Sequence, residues 1–203
     1  MSKHVYISAD YAPNDGDQEV IDVLHSWGSD NKHKTDFIDT AQVVSGSITK
    51  NPDCRPCDLK REFNAQINAS SAVIFIIGDR TSSRTAGSTC GRIQYGAGCG
   101  CTPYKQNVNG RTYCKVTGSV STPGPDEDYG PINPCSYLKH EFMQAVKKEK
   151  EIVIVYNSVI RQPQWLPSYM KGYEEIAHPF WKRNYINDTV GDYQFIKQAL
   201  GYE

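Results

Sequence analysis

Short apolar runs alternate with amphipathic stretches along most of this chain, and the alternation predicts its elements. His4 to Ser8 (HVYIS) reads as a first strand. Val20, Val23, Leu24 and Trp27 recur at helical spacing over Asp17 to Trp27, with Gly28 as the stop. Thr35 to Thr40 (TDFIDT) reads as a second strand, and Ala41 to Pro56, which lacks periodicity, as a loop. From Asp58 onward Leu59, Phe63 and Ile67 recur every four residues, and this helix ends near Asn68. Ser71 to Gly78 (SAVIFIIG) is continuously apolar and rich in β-branched residues, the pattern of a strand covered on both faces.

The pattern then breaks. Residues 80–135 hold nine of the 16 glycines and five of the seven cysteines, with only nine charged residues in 56. Such a segment is an insertion in one domain of 203 residues rather than a second domain. Regular spacing returns at Ser136, where Leu138, Phe142, Ala145 and Val146 form one stripe and lysines fill the last turn. Glu151 to Tyr156 (EIVIVY) is another buried strand. Residues 157–188 read as loop with one strand around Phe180 to Ile186, and Thr189 to Leu200 as a closing helix capped by Gly201.

Strands that alternate with helices in this order require an α/β, mainly parallel sheet with helices on both faces. Ligands of such sheets bind outside the carboxyl ends of the strands. The residues following Ser8, Thr40 and Gly78, and the helix start at Ser136, are therefore placed at any site.

Charge narrows the functional classes. Lys and Arg total 22 against 23 Asp and Glu, a net charge of −1, which argues against bulk electrostatic binding to nucleic acid or an anionic membrane. The longest purely apolar run, Ala72 to Ile77, is far short of a membrane span. The first ten residues lack a secretory pattern, so the expectation is a cytoplasmic protein.

One block carries chemistry: Tyr137 to Tyr156, YLKHEFMQAVKKEKEIVIVY. Glu141 sits in the second turn of its helix between Leu138 and Phe142, at the edge of the apolar stripe, with Tyr137 one turn earlier on the same face. Taken alone, a helical glutamate is an exposed one. His140, beside it, points roughly 100° away and is expected at the surface.

The block resembles the catalytic-helix region of Toll/interleukin-1 receptor (TIR) domains, with Tyr137, Leu138, Glu141, Phe142, Ala145, Val146 and Lys150 in register. HVYIS resembles the first TIR box, and SSAVIFIIG the strand before the catalytic helix. LKREFNAQINASSAVIFIIGDRT is similar to the ThsB-type TIR proteins of bacterial Thoeris anti-phage systems. Ser8 matches the family, whereas Ala9, Asp10 and Tyr11 replace the aromatic and basic residues that often follow it, and the 80–135 insertion lies outside the pattern.

The resemblance implies a flavodoxin-like fold and cleavage of the nicotinamide–ribose bond of NAD+. Glu141 would be catalytic, and Ser8, Asp10, Tyr11, Asp39 and Tyr137 would bind the nucleotide. Nicotinamide leaves as a neutral molecule, so the burden falls on the oxocarbenium-like ribose, which a nearby carboxylate stabilises. Water as acceptor yields ADP-ribose, and a held internal nucleophile yields a cyclic isomer. The resemblance further implies that the product is a signal nucleotide read by a separate effector protein, that a trigger starts turnover, and that self-association is open to the protein.

Three alternatives stay open. The altered residues after Ser8 and the large insertion fit a non-enzymatic TIR-like interaction module. A related nucleoside transferase would use the same glutamate on another substrate. Bound to the cysteines, a structural zinc could staple the insertion: Cys54 and Cys57 form a C-x-x-C, and Cys90, Cys99, Cys101 and Cys114 cluster. Free thiols are the preferred reading of these cysteines, and no other cofactor is expected. No Gly-rich phosphate fingerprint follows a strand, which counts against an ordinary dinucleotide-dependent oxidoreductase.

Overall fold

Three strands of this chain have no face to give to water, and that decides where every helix must go. The computed structural model describes residues 3–10, 17–29, 35–40, 42–43, 55–84, 105–106, 112–113, 125–127, 129 and 136–202. Strands β1 (Lys3–Ala9), β3 (Ala72–Ile77) and β6 (Glu151–Tyr156) are buried over most or all of their length. With β2 (Thr35–Asp39) and the edge strand β7 (His178–Pro179) they form one parallel sheet in the order β2-β1-β3-β6-β7. This is the flavodoxin-like order: from β1 the chain moves to β2 on one side, then crosses to β3 on the other. The expected α/β architecture is therefore present, and its switch point lies where β1 and β3 end side by side, with Ser8 opposite Phe75 and Ala9 opposite Ile76.

Alternation along β1 distributes its side chains between two cores. Val5, Ile7 and Ala9 pack with Val20, Ile21 and Leu24 of α1 (Asp17–Gly28) and with Ile196 and Leu200 near the closing helix. Tyr6 faces the opposite way, with Leu59, Phe63 and Ile67 of α2 (Arg55–Ala69) and Leu138, Phe142 and Ala145 of α3 (Tyr137–Lys147). Helix α2 starts three residues before the expected Asp58, because Pro56 falls in the first turn, where a missing N–H costs nothing. No helix among the described residues is long and apolar enough to cross a membrane.

The carboxyl end of the chain departs from the expected long helix. Thr189–Gly191 is a strand (β9) paired antiparallel with β8 (Trp181–Arg183), and only Tyr193–Ala199 is helical (α4). Asp192 begins the helix: its carboxylate accepts from the Phe195 N–H at 3.2 Å and from Lys182 Nζ at 2.8 Å. Gly191 lies against Trp27, whose ring would be 2.7 Å from an added Cβ. Strand pairing and this close approach override a helical period that runs through Thr189. Within the expected 80–135 insertion the described pieces include Lys105–Gln106 (β4) paired antiparallel with Thr112–Tyr113 (β5), a sheet separate from the main one. Most of the insertion, the greater part of the 41–56 loop and all cysteines but Cys57 lie outside the described residues.

Two helices end alike. Gly201 (φ +69°) closes α4, its N–H donating to Gln198 O at 2.8 Å while Tyr202 N–H reaches Lys197 O at 2.8 Å. At the end of α3 the same pair of bonds forms at Glu149 and Lys150, yet the left-handed residue is Glu149 (φ 50°), whose Cβ is strained there. Glu149→Gly is expected to raise the unfolding free energy by about 1 kcal/mol in urea titrations, and Gly201→Ala to lower it by about 1 kcal/mol.

Candidate active site

Tyr6 and Ser8 are two residues apart on β1 and so share the face covered by α3. Helix α3 runs back from the carboxyl edge of the sheet, and its second turn sets Glu141 against them. Tyr6 Oη donates to Glu141 Oε1 at 2.6 Å, and Ser8 Oγ donates to Oε2. Thr40, just past β2, brings a third hydroxyl 3.3 Å from Oε1, also 3.3 Å from Ile7 O, and accepts from the Ala9 N–H at 3.3 Å. The carboxylate is thus caged by hydroxyls from two strands and has no exposed surface.

Burial pushes the Glu141 carboxyl up to about 7, offset in part by the Ser8 and Tyr6 hydrogen bonds, with the nearby Asp10 charge adding to the rise. Burial, followed by the Glu141 charge, also pushes the Tyr6 phenol well above its ordinary range. The hydroxyls therefore compensate the carboxylate incompletely, and near neutrality it is poised between its two protonation states.

Asp10 follows β1 and is 7% exposed. Burial raises its carboxyl to about 6, against the smaller opposing influence of the Ser136 hydroxyl at the start of α3 and of the Arg84 charge. Among the described residues no donor meets Asp10 Oδ2. Asp17, at the start of α1, is buried too and raised to about 7, by burial first and then by the Asp10 and Asp79 charges, against a hydrogen bond from Asn157. An added Cβ on Gly78 would lie 3.0 Å from Asp17 Oδ1, so a residue with no side chain lets the acid in.

The remaining expected site residues are placed as follows. Asp39 turns to the α1–β2 corner, where Oδ1 accepts from the Gln42 N–H at 2.7 Å and Oδ2 lies 2.9 Å from His25 Nε2. Tyr137 is half-buried, its ring 5.2 Å from that of Phe63 in the α2–α3 layer. Tyr11 lies outside the described residues. The structure thus brings Ser8 and Glu141 into contact, sets Asp10 nearby, holds Asp39 by Gln42 and His25, and places the Tyr137 ring against Phe63.

Tyr6 is a site residue that the sequence pattern alone does not single out, although two residues back from Ser8 on a buried strand lies a phenol on the same face. The expectation for His140 is overturned. It is 2% exposed, its Nε2 3.0 Å from Asn64 Oδ1 and its ring 5.3 Å from that of Tyr129. Adjacent residues of α3 do diverge, but α3 is wedged between α2 and the sheet, so both directions lead inward. Burial, then the Lys60 charge, lowers the imidazole to about 3 and keeps it neutral. Cys57 is buried, and the described residues contain no His, Cys, Asp and Glu cluster able to hold a metal.

No family model matches this sequence, and no curated protein matches it. The chain is similar to a solved structure titled as the crystal structure of a prokaryotic SEFIR domain, at 12% identity and a TM-score of 0.42, over 98% of this chain and 94% of that one. The fold assignment rests on the strand order itself.

The raised carboxyls fix a pH dependence. Each binds its proton more tightly folded than unfolded, so its contribution to stability falls as pH rises from about 4 to about 7. His140 acts oppositely, since the unfolded chain binds its proton below pH 6.5, and stability falls with it as pH drops from there toward 3. Glu141→Gln removes one carboxyl alone. Its stability relative to the parent is expected to improve by about 2–3 kcal/mol between pH 5 and pH 8 in denaturant titrations, and a constant difference would mean that Glu141 titrates normally.

Proposed function

We propose that this chain is a TIR-like NAD+ glycohydrolase or cyclase that cleaves the nicotinamide–ribose bond. The observation that carries this reading is the Glu141 carboxylate, buried beside the switch point of the sheet and under-compensated by its Tyr6, Ser8 and Thr40 hydroxyls. A carboxylate raised to about 7 by burial gains more from an arriving positive charge than one already satisfied by water. Departure of neutral nicotinamide creates that charge on the ribose. The gain is therefore larger in the transition state than with bound substrate, which is what accelerates a bond cleavage. Ribose hydroxyls donate to the same oxygens that Ser8 and Tyr6 occupy, so binding is an exchange of donors at constant carboxylate satisfaction. Asp10 Oδ2, which meets no donor among the described residues, is a further acceptor at this edge.

The resemblance of LKREFNAQINASSAVIFIIGDRT to ThsB-type TIR proteins, beside that of HVYIS and of the Tyr137–Tyr156 block to TIR domains, supports the rest of the reading. The product is an ADP-ribose-type signal nucleotide, linear or cyclic, read by a separate effector in cytoplasmic anti-phage defence, and self-association belongs to the triggered state. Structural zinc at the cysteines is a separate proposal, tested by metal analysis of the purified chain.

Purified protein incubated with NAD+, with and without extract of phage-infected cells, is expected to release nicotinamide. Glu141→Gln should lower release at least about 100-fold, and Ser8→Ala about tenfold. Parent-level turnover by Glu141→Gln would remove the role assigned to that residue.

One observation favours a second reading, a non-enzymatic interaction module. Glu141 has no exposed surface, and both its oxygens already accept. In that case the hydroxyl cage only ties α3 to β1 and β2, and the insertion recruits partners. NAD+ that neither binds nor reacts in the triggered assembly, by calorimetry and by nicotinamide release, would establish this second reading.

A further inference from the structure

Glu141 is sealed: it has no exposed surface, and both its oxygens accept from hydroxyls. Two of those hydroxyls, Tyr6 and Ser8, stand on β1, which pairs with β2 on one side and β3 on the other. A central strand cannot withdraw without breaking the sheet, so opening the carboxylate to a ligand falls to α3. Whatever holds α3 in place therefore controls access.

On its core side α3 is held by Leu138, Phe142 and Ala145. Beside that stripe a second, polar row meets α2. His140 and Gln144 are one turn apart on α3, as Asn64 and Asn68 are on α2. His140 Nε2 lies 3.0 Å from Asn64 Oδ1, and Gln144 Nε2 donates to Asn68 Oδ1 at 2.7 Å. Amides in such a row ordinarily face water, yet Asn64 and Gln144 are buried, and so is His140.

Asp126, Glu127 and Tyr129, from the carboxyl end of the expected insertion, lie over this seam. Asn64 Nδ2 donates to Glu127 O at 3.1 Å, and Tyr129 Oη donates to Gln144 Oε1 at 2.9 Å, with the Tyr129 ring 5.3 Å from that of His140. Glu127 Oε1 is 2.9 Å from Lys148 Nζ, and Lys147 Nζ donates to Asp126 O and lies 3.3 Å from its Oδ2. The contacts run along α3 from Lys147 back to His140 and so bracket Glu141. Apart from the Tyr129 ring, each is a hydrogen bond or an ion pair, which water replaces at small net cost. Lifting these residues uncovers amides and an imidazole rather than apolar core.

We propose that Asp126, Glu127 and Tyr129 form a releasable strap, which pins α3 where it seals Glu141 and which opens the carboxylate when it lifts. The strap belongs to the stretch of chain directly before α3, so an event there reaches Glu141 through one helix. Strap and seal stand on these contacts alone; that the opened carboxylate then meets the ribose of NAD+ rests on the proposed reading of Glu141.

The test is carboxyl labelling of the full chain with a water-soluble carbodiimide and glycine ethyl ester, located by mass spectrometry, with exposed Glu175 as the internal reference. Asp126 is exposed and Glu127 and Tyr129 are half-buried, so replacing all three with Ala leaves the core intact. This triple variant should raise labelling of Glu141 relative to Glu175 by about tenfold or more. Lys147→Arg with Lys148→Arg, which keeps the ion pairs, should label as the parent does. Gly201→Ala, which strains α4 on the other face of the sheet, should leave Glu141 unlabelled. Parent-like labelling in the triple variant overturns the strap, as does an equal rise in Gly201→Ala, which would report general loosening. In turnover the triple variant should release nicotinamide from NAD+ without extract of phage-infected cells. A triple variant that still needs the extract, beside a parent that responds to it, overturns the strap as the control while leaving the Glu141 reading intact. Raised labelling of Glu141 in a chain that never cleaves NAD+ upholds the strap and removes the NAD+ reading instead.

Discussion

The structure depends on one constraint: β1, β3 and β6 are buried on both faces, so the sheet must be covered twice. A parallel pair needs a crossover, and the crossovers that join β1, β2, β3 and β6 are helices laid on one face or the other. With α1 and α4 on one side and α2 and α3 on the other, only the strand ends remain open. The turns that leave β1 and β3 at the switch point are where polar groups gather. Ser8, Asp10, Thr40 and Asp17 are all buried polar residues at that edge.

Glu141 is the place where the double cover meets chemistry. Any residue on the inner side of α3 is taken out of water, and this one is a carboxylate. Its burial is tolerable because β1 supplies Tyr6 and Ser8 on the facing side and β2 supplies Thr40. The compensation is incomplete, and Asp10 and Asp17 share the same condition close by. Three carboxyls raised toward neutrality at one sheet edge are costly for stability, and such costs concentrate where a protein has work to do.

Much of this was readable from residue types. The runs SAVIFIIG and EIVIVY are too apolar to have a wet face, and the Leu59, Phe63, Ile67 and Leu138, Phe142, Ala145 spacings mark helices that cover them. Glu141 stood out as the charged residue set into such a stripe. Thr189 to Leu200 has a helical period yet begins as a strand, because period carries no information about Trp27 pressing on Gly191. His140 is buried for a related reason. Helical geometry tells how far apart two side chains point, but not that a second helix occupies the other direction.

Alone, the sequence determined the alternation of strands and helices, the parallel sheet it requires, and one carboxylate held at the border of a core. These follow from local periodicity and from the solvation of each side chain, which are properties of short stretches. Only the tertiary structure decided what that carboxylate touches. Tyr6, Thr40 and Glu141 are far apart in the chain, and their meeting depends on strand order and on the face that α3 covers. The same holds for Arg84, Lys139 and Tyr169, which line one cavity from three separate segments. Contacts between distant segments arise from how whole layers stack, and the pattern of any one stretch does not contain that information.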